Sequence, residues 1–235
     1  MNIFLEILKT FFYDPFLNAL VFIYQTIGFK DLAISILILT LLVKLLLLPL
    51  SKKAQESQKK MAIIKPRLDE IQKKYKEDPP RQYKEMMEVY KAEGISPYGG
   101  FGLIFLQLPI LIGIYRVFSD IFNAEALNGL YPFIKAPSEI SPMALGGLIN
   151  LSQPVMFVVL LAAVFQYFQA KITMPKGQGG MMLFIGPLMT LFILPKLPSA
   201  VGLYWLLSTV LAIAEYYFFI NKKDGKVGKL HQGNI

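Results

Sequence analysis

The residue with the most chemistry to offer is a cation placed in an apolar setting. The run from Asp31 to Leu50, DLAISILILTLLVKLLLLPL, is long enough to cross a bilayer and carries Lys44 well inside it. An ionisable group in hydrocarbon costs a few kcal/mol even on lenient insertion scales, so it reads as functional by default. Thr40 lies four residues earlier and shares its helical face, while the remaining positions are almost all Leu, Ile and Val. Chemistry on small molecules has little material. The chain has no cysteine, which removes disulfides, thiolate metal sites and cysteine nucleophiles. Its one histidine, His231, sits five residues from the end in a polar tail, away from any partner for a triad or a metal motif. Gly177, Gly179 and Gly180 follow no strand and lack the lysine of a phosphate-binding loop. No catalytic residue, metal or cofactor is expected.

Other polar residues fall inside apolar segments. Gln107 lies six residues from the inner end of its segment and Lys44 six from Leu50, roughly 9 Å in each case, so the two meet at one depth and favour a shared polar pocket. That depth is also within reach of an ordinary snorkelling lysine. Gln166 and Gln169, three apart, either line the same pocket or bond neighbouring helices. Glu215, at about the depth of Lys44, either pairs with it or faces the headgroups. Tyr204 and Trp205 sit where an aromatic belt would lie. Arg116 and Asp120, four apart, read as a local pair.

The elements that must hold these residues follow from composition and pattern. Hydrophobic residues make up 54% of the chain and cluster in long runs, the signature of an all-α membrane protein. Residues 1–28 read as interfacial: an amphipathic stretch over 1–12, then a helix over 15–27 with Asp14 as N-cap, Pro15 in the first turn and Gly28 as stop, with one longer tilted span as the alternative. Five spans are expected at 29–50, 101–122, 150–170, 181–195 and 200–220, the last two forming a tight hairpin across Pro195 and Pro198.

Between the first two spans, residues 51–97 hold half of the Lys and Arg residues and half of the acidic ones. Met61, Ile64, Leu68, Ile71 and Tyr75 form a narrow seam, Pro79 and Pro80 end that helix, and Arg81 to Glu93 offers Tyr83, Met86, Met87 and Tyr90 before Gly94. An antiparallel helical hairpin results, with Pro66 kinking its first arm; a solvated linker is the bland reading. Placing this hairpin, the 171–180 loop and the basic 221–235 tail on one side gives eighteen Lys and Arg there against Lys9, Lys30, Lys135 and Lys196 opposite. The asymmetry puts the hairpin and C-terminus in the cytoplasm, and the N-terminus and the 123–149 loop outside.

The order of residues in TLLVKLLLLPLSKKAQESQKKMAIIKPRLDEIQKKYKEDPPRQYKEMMEVYKAEGISPYGGFGLIFLQLPILIGIY, with LPSAVGLYWLLSTV near the end, resembles the YidC family of bacterial membrane protein insertases, relatives of the Oxa and Alb insertases. The resemblance covers about residues 13–223. Its most specific parts are the cation followed by PL at 40–50, KAEGISPYGG at 91–100 and LQLP at 106–109. It implies the minimal five-span form, without the large external domain of some members. It also implies a groove open to the cytoplasm and lipid, in which Thr40, Lys44, Gln107, Tyr204 and Trp205 match the substrate path. The family usually has arginine where this chain has Lys44, which keeps the charge and loses the planar fork.

The partners so implied are nascent membrane proteins, the Sec translocon, the ribosome and targeting machinery through the hairpin and basic tail, and the lipid bilayer; the location is the bacterial cell membrane. The expected function is insertion and folding of membrane proteins without nucleotide chemistry. A small polytopic transporter or channel with an intramembrane lysine is the alternative, set against it by the lack of internal symmetry. An intramembrane protease is disfavoured by the lone tail histidine.

Overall fold

The computed structural model describes residues 3–94, 96, 101–174 and 180–220. The basic tail, most of the SPYGG turn and the middle of the 171–180 loop lie outside the described residues.

The chain begins as one continuous helix. α1 (Ile3–Leu8) runs through a π turn (Lys9–Tyr13) into α2 (Asp14–Thr26). This corrects the expected break at Asp14, which has helical φ and ψ of −60° and −47° and donates its N–H to the Lys9 carbonyl. A proline ring disrupts ordinary i→i−4 bonding, and the wider turn just ahead of Pro15 accommodates it. The Asp14 carboxylate pairs with Lys9 at 3.7 Å instead of capping. Gly28 does follow the helix, but the left-handed residues of the turn are Phe29 and Lys30. Gly28 is needed for close approach: a Cβ there would lie 2.9 Å from the Ile23 carbonyl oxygen and 3.1 Å from Tyr24 Cα.

α3 (Leu32–Lys74) is a single helix of 43 residues that carries both the apolar run and the first arm of the hairpin, with Pro49 and Pro66 inside it. Asp31 caps it, accepting from the N–H groups of Ala33 and Ile34 at 2.8 and 3.2 Å. α4 (Pro79–Ala92) folds back on α3, capped by Asp78. Ile64, Leu68 and Val89 are buried between them, with Met61, Ile71, Met86 and Tyr90 packed around. The second arm thus uses Val89 where the sequence suggested Tyr83, which is 66% exposed.

α5 (Phe101–Asp120) contains Pro109 and stops two residues before the expected 122. The 123–149 segment is not plain loop: it holds a 3-10 turn (Ala124–Gly129) and β1 (Met143–Ala144), which pairs antiparallel with β2 (Ile149–Asn150). Because residues 150–155 are taken up by β2 and the turn through Pro154, α6 starts at Met156 and ends at Thr173, later than the expected 150–170. α7 (Met182–Ile193) and a 3-10 turn (Leu194–Lys196) lead through Pro198 into α8 (Ser199–Glu215), which continues as a π turn (Tyr216–Ile220).

The core is built by Leu17, Leu20 and Val21 of α2, Leu32, Ile36 and Leu39 of α3, Ile114 and Phe118 of α5, Ala162 of α6 and Val201 of α8. α6 packs against both α7 and α8. The opposite faces are exposed and apolar: Leu41, Leu42, Leu45 and Leu46 on α3, Phe157, Leu160 and Val164 on α6, Phe184, Leu188 and Phe192 on α7. By length and composition, four helices among the described residues are able to cross a membrane: Leu5–Thr26, Leu32–Lys74, Met156–Thr173 and Ser199–Phe218; Leu183–Lys196 is a shorter apolar helix.

Candidate functional site

Four helices contribute polar side chains to one place. α3 supplies Lys44, α5 supplies Gln107, α6 supplies Gln166 and Gln169, and α8 supplies Tyr204, Trp205, Ser208 and Thr209; together with Leu111 they line a partly open cavity of about 250 Å³. Each contribution follows from helical spacing. Gln107 and Leu111 are one turn apart, Gln166 and Gln169 three residues apart, and the α8 residues form two adjacent i, i+4 pairs on one face.

The polar groups are tied to one another and to the scaffold. Tyr204 is buried and lines the cavity beside Gln107 and Ser208, so the cavity wall joins α5 to α8. Gln166 Oε1 accepts from the Thr190 hydroxyl of α7, and its amide lies over Gly186, where a Cβ would come within 3.2 Å. Gln166 therefore both lines the cavity and binds the neighbouring helix. Thr209 donates to the Trp205 carbonyl at 2.8 Å and so has no need of a partner from outside its own helix.

Thr40 stands apart from the other predicted residues. It is fully buried, its hydroxyl donates to the Ile36 carbonyl at 2.6 Å, and it is not among the cavity-lining residues. Glu215 also lies outside the lining, yet close enough to act electrostatically on Lys44, and Lys52 one further stretch along α3 acts on Glu215 as well. Leu111, Ser208 and Thr209 belong to the site without having been singled out in the sequence. Continuing the Gln107 and Tyr204–Trp205 faces by one helical turn would have found them.

Arg116 and Asp120 line a separate cavity of about 200 Å³ with Lys9 and Tyr13. There Asp120 faces Tyr13 of the N-terminal helix, close enough to act on it electrostatically.

The main site offers a cation, amide groups, hydroxyls and two aromatic rings, in a wall otherwise apolar. It holds no nucleophile beside a base, and among the described residues no group of three His, Cys, Asp or Glu is placed to hold a metal ion. Such a surface can attract an anionic group, exchange hydrogen bonds with a peptide and pack against apolar side chains.

A model of the family described as 60Kd inner membrane protein matches residues 22–226. The chain is 34% identical over 217 residues to a protein of Wolinella succinogenes named membrane protein insertase YidC, covering 91% of this chain and 37% of that one. It is 31% identical over 229 residues to a protein of the same name from Oleidesulfovibrio alaskensis, covering 91% and 39%. The chain thus spans less than two fifths of the length of these relatives. Among solved structures, an active YidC insertase with its first transmembrane domain resolved shares the fold, with a TM-score of 0.62 and 24% identity over 88% of this chain and 46% of the other.

Proposed function

Because the chain belongs to the 60Kd inner membrane protein family, we propose that it is a membrane protein insertase of the bacterial inner membrane that passes short polar segments of nascent proteins and releases apolar ones into lipid. The observation that carries this reading is the cavity in which Lys44 meets Gln107, Gln166, Gln169, Tyr204 and Trp205 among helices whose outer faces are apolar. A polar segment placed there exchanges hydrogen bonds with amides and hydroxyls instead of losing them to hydrocarbon, and Lys44 offsets part of the desolvation of an acidic side chain. No cofactor or nucleotide is needed for such a transfer, because the driving force is the burial of apolar substrate segments in lipid.

In this reading five segments cross the membrane: the first half of α3, then α5, α6, α7 and α8. The α1–α2 helix is of spanning length, but its bonds favour the interface. Tyr13 meets Asp120, Asn18 accepts from the Tyr131 N–H at 2.6 Å, Tyr24 accepts from the Ser141 N–H, and Gln25 bonds the Lys135 carbonyl. These residues are spread over about 18 Å of helix, and all meet the end of α5 or the segment that follows it. The stretch from Tyr13 to Gln25, bonded in this way to one end of the bundle, lies across that end. The charge asymmetry makes this the outer end, with the α3–α4 hairpin and the C-terminus in the cytoplasm, where they are suited to engage the ribosome and targeting machinery, alone or beside the Sec translocon.

The test is capture of a substrate in the cavity. With a photoreactive residue at Leu111, the chain in lipid vesicles is expected to crosslink a ribosome-bound nascent membrane protein and not a soluble one. Equal capture of both would sink the reading.

A further inference from the structure

A second cavity, of about 140 Å³, lies between three of the same four helices, α3, α6 and the extension of α8. It is lined by Gln55, Lys59 and Ala62 of α3, by Thr173 at the end of α6 and by Tyr216 just past α8. Polar residues run from the first cavity to this one at helical spacing on each helix: Lys44, Lys52, Gln55 and Lys59 on α3; Gln166, Gln169 and Thr173 on α6; Trp205, Thr209 and Tyr216 along α8 and its extension.

The chemistry of the second cavity is specific. Gln55 Oε1 is buried and meets no hydrogen-bond donor among the described residues. The Thr173 hydroxyl donates to the Gln169 carbonyl at 2.8 Å, which leaves its oxygen as an acceptor. Lys59 holds its ammonium 5.7 Å from the centre of the Tyr216 ring, beside these acceptors. Two acceptors and a cation complement a group that brings N–H donors together with a carboxylate. An extended acidic stretch of polypeptide does so. A bare phosphodiester would meet Lys59 but bring no donor to Gln55, and a lipid headgroup that supplies one is told apart in the experiment as lipid captured at Ala62.

We propose that this cavity is an entry station for the incoming polypeptide, where a backbone N–H bonds Gln55 and an acidic side chain meets Lys59 before the same stretch reaches Lys44. The proposal rests on the insertase reading and adds to it a second binding site with a defined spacing. Gln55 is eleven and Lys59 fifteen residues from Lys44 along α3, roughly 16 to 22 Å at helical rise. An extended chain covers that distance in about five to seven residues. One stretch with two acidic residues at that separation engages both sites at once.

The experiment uses the whole chain in phosphatidylglycerol-containing vesicles with a photoreactive residue at Ala62 or at Leu111. The probes are ribosome-bound nascent chains of graded length carrying an acidic or a neutral stretch. Ala62 is expected to capture the acidic chain at lengths about five to seven residues shorter than Leu111 does. Lys59→Gln should cut this early capture about tenfold for the acidic chain and leave the neutral one unchanged; Gln55→Leu should cut it about tenfold for both. Lys59→Arg should retain it, and capture of long chains at Leu111 reports that each variant is folded. If Leu111 captures nascent chain while Ala62 captures only lipid or nothing, or if Ala62 capture ignores both substitutions, the entry station is wrong and the insertase reading stands. If neither position captures nascent chain, both fall.

Discussion

Asp31 binds Leu145 across more than a hundred residues of sequence: one carboxylate oxygen takes the N–H groups of Ala33 and Ile34 at the start of α3, and the other accepts from the Leu145 N–H at 2.5 Å. Leu145 opens the β1–β2 turn and is left-handed, with φ of 53°. One side chain thus starts the helix that carries Lys44 and fastens the segment between α5 and α6 to it.

Asp31→Asn keeps an oxygen for the cap but cannot accept from Leu145 with its amide nitrogen. It should leave α3 intact and raise hydrogen exchange at Leu145, at a cost of about 1 kcal/mol. Asp31→Ala should lose the cap as well, for about 1 kcal/mol more. Unchanged exchange at Leu145 in the Asn variant would show that the turn is held by other contacts.

Gly113 of α5 faces Phe12, and a Cβ there would lie 2.8 Å from the Phe12 Cβ and 3.3 Å from its carbonyl carbon. Gly113→Ala should therefore destabilise the protein by about 1 to 3 kcal/mol by pushing the N-terminal helix away from α5. Phe12→Ala should not rescue it, since the crowding involves Cβ and backbone, which alanine keeps. Thermal unfolding in detergent reads both.

The hairpin offers a contrast between two positions on α4. Val89, 3% exposed against Ile64 and Leu68, should cost roughly 2 kcal/mol of local stability when changed to Ala, while Tyr83→Ala, at a site 66% exposed, should cost almost nothing. Hydrogen exchange along α4 separates the two, and the bundle of α5 to α8 should stay protected in both variants. Loss of protection throughout would make the hairpin part of the structural core.

For Lys44, the insertase reading predicts that Lys44→Arg keeps activity, Lys44→Ala loses it for substrates with acidic translocated segments, and Lys44→Glu loses it most. Stability should be equal or slightly higher in Lys44→Ala, because a half-buried charge with incomplete pairing is a cost. If Lys44 instead serves mainly as partner to Glu215, the Ala variant will be destabilised and Glu215→Gln will restore it. Insertion of one acidic-tailed and one neutral-tailed substrate at matched protein level decides, and equal insertion of both by Lys44→Ala and the parent would exclude a working charge.

The orientation is open to direct labelling, since the sequence has no cysteine to remove. A cysteine at Lys135 should react with an impermeant reagent outside intact cells and one at Lys74 should not. The reverse pattern would overturn the proposed topology.

What the sequence made legible was whatever depends on local period. The apolar runs, the Pro195–Pro198 turn and the Met61–Ile71 seam follow from spacing alone, as does the meeting of Lys44 and Gln107, both of which line one cavity. What it hid depends on partners distant in the chain. Nothing near Asn18 announces Tyr131, and nothing near Gln166 announces Thr190. Asp14–Pro15 has the residues of a helix start, yet a π turn carries the helix through it. Thr40 shares a face with Lys44 by spacing, but it is fully buried and is not among the residues that line the cavity.

α3 has a mechanical consequence. At helical rise its 43 residues extend about 65 Å, more than twice the thickness of a hydrocarbon core, with no loop between the arm that meets α4 and the turn that carries Lys44. The helix is a lever. A load applied to the hairpin arm reaches the turn that carries Lys44 through helix alone, with Pro49 between them. Its compliant point is set by Pro49, whose missing N–H leaves the carbonyl of Leu45 without its helical donor, one residue past Lys44. On the insertase reading, a pull on the arm is expected to bend the lever at that point and tilt Lys44 in the cavity wall.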